Sequence, residues 1–324
     1  LQSLAGVGIA LLLFIIGTSL DFRMIKSIGG ASIVGGISTV AIVCSASFLI
    51  SSWLGFEVVP SLYIALAFSF SSAVVVVKIL SDKKEIETLH GQIALGILIV
   101  ESFIAALALM IIPVISNEGA FGVLSQISKF ILAIFFTVFV GRIVFSKMLG
   151  FAARSQEVLF LVSIGWALVV SALFELTGLS SEIGALIAGM VIASSRYNLE
   201  IKSKVKGIRD FFVILFFVYF GAQLSAPISS ELFKQAIIFS LFILVGKPLI
   251  VMSLTRSFGF KKRTNFMVGT SLTQVSEFSL IVILMGYNLG HISQSIFSLT
   301  ILVTLITVSL SSYAIYFSNP LYEY

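Results

Sequence analysis

The sequence predicts an all-α polytopic membrane protein of about eleven transmembrane helices arranged as inverted repeats. Composition is the first reason: of 324 residues, 58% are hydrophobic and 11% charged, where a soluble domain carries about 25%. Mean hydropathy is +1.14. The second is the recurrence of long apolar runs from end to end. The third is the strict alternation of basic and non-basic loops between them. A net charge of +5 does not point to nucleic acid, because the basic residues are scattered between apolar runs. The single cysteine, Cys44, cannot form an internal disulfide.

Apolar segments occur at 4–20, 28–54, 61–80, 92–115, 121–149, 156–178, 180–195, 210–226, 231–258, 264–288 and 292–317. Most approach or exceed the ~20 residues that a helix needs to cross ~30 Å of hydrocarbon. The first two contain no charged residue. The third is interrupted by Ser69, Ser71 and Ser72 in "AFSFSSAVV", and the fourth carries Glu101. The fifth has its basic residues near its ends. The seventh and eighth are short. The ninth carries Lys247 in "ILVGKPLIV". The tenth holds Thr270, Ser271, Thr273, Gln274, Ser276, Glu277 and Ser279 in "GTSLTQVSEFSL". The stretches 81–91 and 196–210 read as solvated loops, with an amphipathic surface helix as the alternative for the second.

The loops after segments 1, 3, 5, 7 and 9, with the helix ends flanking them, hold 17 of the 20 Lys and Arg. By the positive-inside rule those loops, and the C-terminus, are cytoplasmic. Segments 2–4 then run in an orientation opposite to segments 9–11. Each triplet has its polar-interrupted helix in the centre, the pattern of an inverted-repeat secondary transporter.

Glu101, Lys247 and Glu277 fall near helix centres. Each costs about 2.5–3.5 kcal/mol when unpaired in lipid. Glu101 lies about nine residues from its helix start, ~14 Å deep at 1.5 Å per residue. Lys247 lies at similar depth, so an ion pair between them is expected, structural or part of a cation and proton site. Interrupted helices at this depth build midplane ion sites.

In their order and spacing, "GIALLLFIIGTSLDF" (8–22), "ALAFSFSSAVVVVKIL" (65–80), "RSQEVLFL…LTGLSSEIGALIAGMVIASSRY" (154–197), "FFVILFFVYFGAQL" (211–224), "GKPL" (246–249) and "QVSEFSL" (274–280) resemble the monovalent cation:proton antiporters, especially the potassium-efflux (Kef-type) branch. The resemblance covers nearly the whole chain. It implies two crossed broken helices in a six-helix core that moves against a dimerisation bundle. Core repeats would then occupy 28–115 and 231–324, the bundle 1–27 and 156–230, and a linking helix 116–155. It also implies a homodimer, two further helices upstream of Leu1, and a cytoplasmic regulatory domain beyond the C-terminus. The expected location is the inner membrane of a bacterial or archaeal cell.

One departure stands out. The family usually places an ion-binding aspartate where this chain has Ser102, and Glu101 occupies the preceding position. Serine keeps a ligating oxygen but cannot ionise near neutral pH. Three accounts fit: an engineered substitution, a transfer of the ion-binding role to Glu101, or a homologue that does not exchange cations.

The site expected is therefore Glu101, Ser102, Ser71 and Ser72 for the cation or proton, with Lys247 as salt-bridge partner. Gln274, Ser276 and Glu277 of the second broken helix would cap half-helix ends or tune the site. The expected substrates are K+ or Na+ exchanged for H+, with no cofactor and no resident metal. A sodium-coupled organic solute carrier and a non-transporting membrane sensor are the competing readings. An enzyme is not expected: no metal-ligand cluster or nucleophile–base pair is visible, and His90 and His291 fall near helix ends.

Overall fold

The computed structural model describes residues 8, 10, 11, 13–15, 17, 18, 29–116, 120–152, 155–177, 179, 181–193, 195–224 and 229–323. Among them every regular element is a helix. In chain order these are α1 (Gly30–Trp53), α2 (Val58–Ser69), α3 (Ala73–Asp82), α4 (Leu89–Ser116), α5 (Ala120–Val140), α6 (Ser146–Ala152), α7 (Gln156–Leu176), α8 (Ser181–Ala193), α9 (Asn198–Ala222), α10 (Ser230–Leu241), α11 (Lys247–Ser257), α12 (Lys262–Ser271), α13 (Glu277–Asn288), α14 (Gln294–Tyr316) and α15 (Ser318–Glu323). π-helical turns at Gly141–Phe145 and Phe242–Gly246 join α5 to α6 and α10 to α11.

Seven spans among the described residues are long and apolar enough to cross a membrane. Some of the other apolar segments fall short for physical reasons. The 180–195 segment forms the 13-residue α8. The 264–288 segment is divided into α12 and α13, of 10 and 12 residues. The first segment lies only partly within the described residues. Two stretches were expected to be loops. Residues 83–88 do form a turn between α3 and α4. The 196–210 stretch, by contrast, is helical from Asn198 onward, continuous with the apolar run to Ala222. Its alternating charges mask a helix without breaking it.

The chain divides into two compact units. One comprises Leu1–Met24 and Leu109–Gln223. In it α8 packs on α7, and the backbones at Gly17 and Gly189 meet so closely that a Cβ on either would overlap the other helix. Small residues allow such contact where lipid supplies no hydrophobic drive to associate.

The other unit comprises Ile25–Ala108 and Leu224–Tyr324. Here α1 packs along α2 and against α11, α13 lies on α2, and α14 lies on α10, α12 and α3. An apolar core of Val76, Leu80, Ile97, Leu98, Val251, Val268 and Leu272 joins α3, α4, α11 and α12. All sequence-predicted site residues belong to this unit. Its two polar-interrupted segments are broken as expected, at Phe70–Ser72 and at Leu272–Ser276.

Candidate functional site at two helix breaks

Local chemistry explains where each helix stops. Ser69 donates back to Leu66 O at 2.6 Å, a bond that competes with the ladder of its own turn. Phe70 is extended (φ −90°, ψ 144°). Ser72, also extended, caps α3 by accepting from Val75 N at 3.4 Å. At the second break, Thr273 Oγ1 donates to Thr270 O at 2.9 Å and Gln274 Nε2 to Ser271 O at 3.3 Å. These bonds occupy carbonyls that α12 leaves open at its end. Ser276 then caps α13 by accepting from Phe278 N at 3.2 Å. Glu277 is the first residue of α13, where negative charge suits the helix dipole.

The breaks satisfy each other. Ser71 Oγ donates to Leu272 O at 3.4 Å, Gln274 Nε2 to Ser72 O at 3.2 Å, and Ser72 Oγ to Glu277 Oε2 at 3.0 Å. Ser279 Oγ donates to Ala67 O. Unwound backbone is tolerated at membrane depth only under such satisfaction. Each bond is worth about 0.5–1.5 kcal/mol net, and an unmet buried group costs about 1–3 kcal/mol, so the network matters chiefly by what its loss would expose.

Glu101, in α4, is 1% exposed. Its Oε2 accepts from Ser71 N at 2.7 Å, and its Oε1 has no hydrogen-bond partner. Lys247 is fully buried and donates from Nζ to Ser69 O at 3.1 Å. Pro248 follows it and cannot donate to the ladder. The π-helical turn Phe242–Gly246 immediately precedes the pair, which is where a missing bond and a ring clash would widen the helix.

The expected Glu101–Lys247 salt bridge is not formed. No distance of 4.0 Å or less joins Lys247 Nζ to a Glu101 carboxylate oxygen, although each charge acts electrostatically on the other. Each has instead taken a backbone group of the first break. The ammonium sits on a carbonyl at the C-terminal, partially negative end of α2. The carboxylate sits on an N–H just before the N-terminal, partially positive end of α3. Matching of charge to half-helix dipole has displaced direct pairing.

The other expected residues divide. Ser71 meets Glu101 through its backbone N–H at 2.7 Å, and its hydroxyl also acts on the carboxylate. Ser72, Gln274, Ser276 and Glu277 form the joint between the breaks. Ser102 is 8% exposed and makes no hydrogen bond among the described residues. Sequence reasoning passed over Thr307, whose Oγ1 accepts from Val275 N at 3.3 Å. Its signal was present: Thr300, Thr304, Thr307 and Ser311 recur at helical spacing in α14, and all are buried. His90 and His291 lie outside the site, His90 in the first turn of α4 and His291 just past α13. There His291 Nδ1 pairs with Tyr63 Oη at 2.8 Å.

Comparison with known proteins places the chain in a family. YbaL of Escherichia coli (strain K12) is 31% identical over 307 residues, covering 90% of this chain and 55% of that protein. K(+) efflux antiporter 4 of Arabidopsis thaliana is 26% identical over 318 residues, covering 95% and 53%. The chain thus spans about half the length of these relatives. The structure of the sodium proton antiporter MjNhaP1 from Methanocaldococcus jannaschii at pH 8 superposes with a TM-score of 0.67 at 14% identity, covering 98% of this chain and 84% of that one, a likeness of fold. The family model described as "Sodium/hydrogen exchanger, transmembrane" matches residues 1–316, and this chain belongs to that family.

Proposed function

We propose that the chain performs monovalent cation:proton antiport, K+ or Na+ against H+, by alternating access, with Glu101 as the group that accepts either species. The observation that carries this reading is one carboxylate: Glu101 is buried at a helix break, held by one oxygen, with the other unpartnered. Such a group can hold a proton or a cation on the same oxygen, but not both. Sequential occupancy by each, on opposite sides of the membrane, couples the two fluxes in opposite directions. Family membership and the antiporter names borne by relatives support the same activity.

In this reading the repeats at 28–115 and 231–324 make up the transport core, which overlaps most of the unit Ile25–Ala108 and Leu224–Tyr324; residues 1–27 and 156–230 form the homodimer bundle, with 116–155 as the linking helix. Loop charges put the C-terminus in the cytoplasm of a cell whose inner membrane holds the protein. A cytoplasmic regulatory domain would extend the chain towards the length of its relatives.

The test is Glu101→Gln in proteoliposomes, read as cation-driven recovery of fluorescence from a pH-sensitive dye. Exchange is expected to vanish; exchange that persists unchanged removes Glu101 as the carrier. A second reading, a non-transporting sensor, draws on Ser102 at the position usually held by aspartate. It predicts that wild-type vesicles show no cation-driven dye recovery at all.

A further inference from the structure

Two buried acceptor atoms beside the breaks have no hydrogen-bond partner: Glu101 Oε1 and Gln274 Oε1. Gln274 is fully buried, and its amide orientation follows from its neighbours. Nε2 faces two backbone carbonyls, Ser72 O at 3.2 Å and Ser271 O at 3.3 Å. Carbonyls only accept, so the nitrogen must point at them, and the oxygen is left as the unpaired end.

The two side chains that carry these oxygens are anchored, through their other polar atoms, on one dipeptide. Glu101 is held by Ser71 N, and Gln274 holds Ser72 O. Consecutive Cα atoms lie only about 3.8 Å apart, so both side chains are fixed against the same short piece of unwound chain. One comes from the first repeat and the other from the second.

We propose that Gln274 is a direct ligand of the transported monovalent cation, its amide oxygen completing with Glu101 Oε1 a coordination shell drawn from both repeats. This rests on the antiport reading above. Dehydrating an alkali ion requires several oxygen dipoles, and their number and field strength set the preference among ions. Ser102 offers at most a hydroxyl. Gln274 supplies a stronger carbonyl dipole, already desolvated and already oriented. An amide does not titrate at physiological pH, so Gln274 acts on the cation half of the cycle and leaves the proton half to Glu101.

The experiment uses the full-length protein, purified for melting curves and reconstituted for exchange, with KCl or NaCl varied against choline chloride at constant ionic strength. Gln274→Met keeps the length and deletes the oxygen. Gln274→Glu keeps an oxygen and deletes both N–H donors. A ligand role expects Gln274→Met to raise the cation KM about tenfold or more and to erase cation-dependent stabilisation. The pH of half-maximal exchange at saturating cation should not move. Gln274→Glu should keep KM within about threefold and change the K+/Na+ ratio. A role confined to tying the breaks through Nε2 predicts no difference, with Gln274→Glu damaged as much as Gln274→Met, and that result overturns the proposal. Should Gln274→Met fail to fold, Gln274→Asn, which withdraws the oxygen by one methylene, decides by the same KM and K+/Na+ readouts. Exchange with an unchanged KM and ion ratio overturns the ligand role alone. A wild type showing neither exchange nor cation-dependent stabilisation overturns the antiport reading and this inference together.

Discussion

Glu101 and Lys247 share a helix break without sharing a salt bridge: the carboxylate accepts from Ser71 N at 2.7 Å and the ammonium donates to Ser69 O at 3.1 Å. One residue, Phe70, separates the backbone groups that hold these opposite charges. The arrangement leaves the carboxylate one oxygen for a ligand while its countercharge stays near. A direct bidentate pair would have consumed that oxygen.

Removing the ammonium should therefore cost less than breaking a contact ion pair. Lys247→Met leaves Ser69 O unmet, a loss of about 1–3 kcal/mol, against about 3–5 kcal/mol for stranding one partner of a buried pair. Combining it with Glu101→Gln should recover only part of the loss, since Ser69 O stays unsatisfied. Detergent melts of the two single variants and the double variant measure that coupling.

The backbone N–H of Ser71 makes the 2.7 Å bond to Glu101, and variants at Ser71 separate its contribution from that of the hydroxyl. Ser71→Ala removes a 3.4 Å bond to Leu272 O and leaves the N–H that binds the carboxylate. It should preserve exchange within a few-fold. Ser71→Pro deletes the N–H and should abolish exchange. Equal damage from both would place the important group on the hydroxyl. Ser72→Ala, which loses the cap of α3 and the link to Glu277, should destabilise by about 0.5–2 kcal/mol, read as a shift in Tm.

The breaks were legible because hydroxyls, an amide and an acid interrupt runs that are otherwise apolar, and polar groups at that depth need a reason. Helical reach also put Glu101 and Lys247 at one level. Level does not fix direction, however. Which atom each charge meets depends on where the unwound backbone turns its N–H and C=O groups, and no spacing in the sequence encodes that. The 198–210 part of α9 was illegible for another reason. Its Glu and Lys residues suit water and helix equally, and only the continuity of the chain into the apolar stretch beyond decides between them. Gln274 reads as a cap or a tuning group, and its Nε2 bonds Ser271 O, but nothing in its spacing signals that its oxygen is unpaired.

Among the described residues Ser102 makes no hydrogen bond, so removing its hydroxyl breaks none there. Ser102→Ala should change stability by less than about 0.5 kcal/mol. If Glu101 alone carries the ion, exchange should survive with only a modest rise in cation KM. Loss of exchange in Ser102→Ala, with Tm unchanged, would make the hydroxyl an ion ligand in its own right. Exchange assays on protein matched for Tm separate the two outcomes.

Glu85, in the turn between α3 and α4, joins the ends of both repeats. It bonds Lys83 at 3.1 Å, His90 at 3.2 Å and Asn319 at 3.2 Å, while Lys83 also reaches Ile315 O and Ser318 Oγ. Partial burial pushes its carboxyl up, but the bonds from His90, Lys83 and Asn319 and the Lys83 charge outweigh burial and hold it below the ordinary value of 4.5. A carboxylate lowered on folding adds stability that is complete above its ordinary value and is lost as pH falls through the lowered one. Glu85→Gln should therefore lower Tm near neutral pH by a small amount, since the group is partly solvated and its pairs are screened. That deficit should shrink as pH drops below 4.5, because protonation removes from the wild type what the amide never had. Melts of wild type and Glu85→Gln across that range test the sign: a gap that widens on acidification would mean that the turn is held by something other than the Glu85 charge.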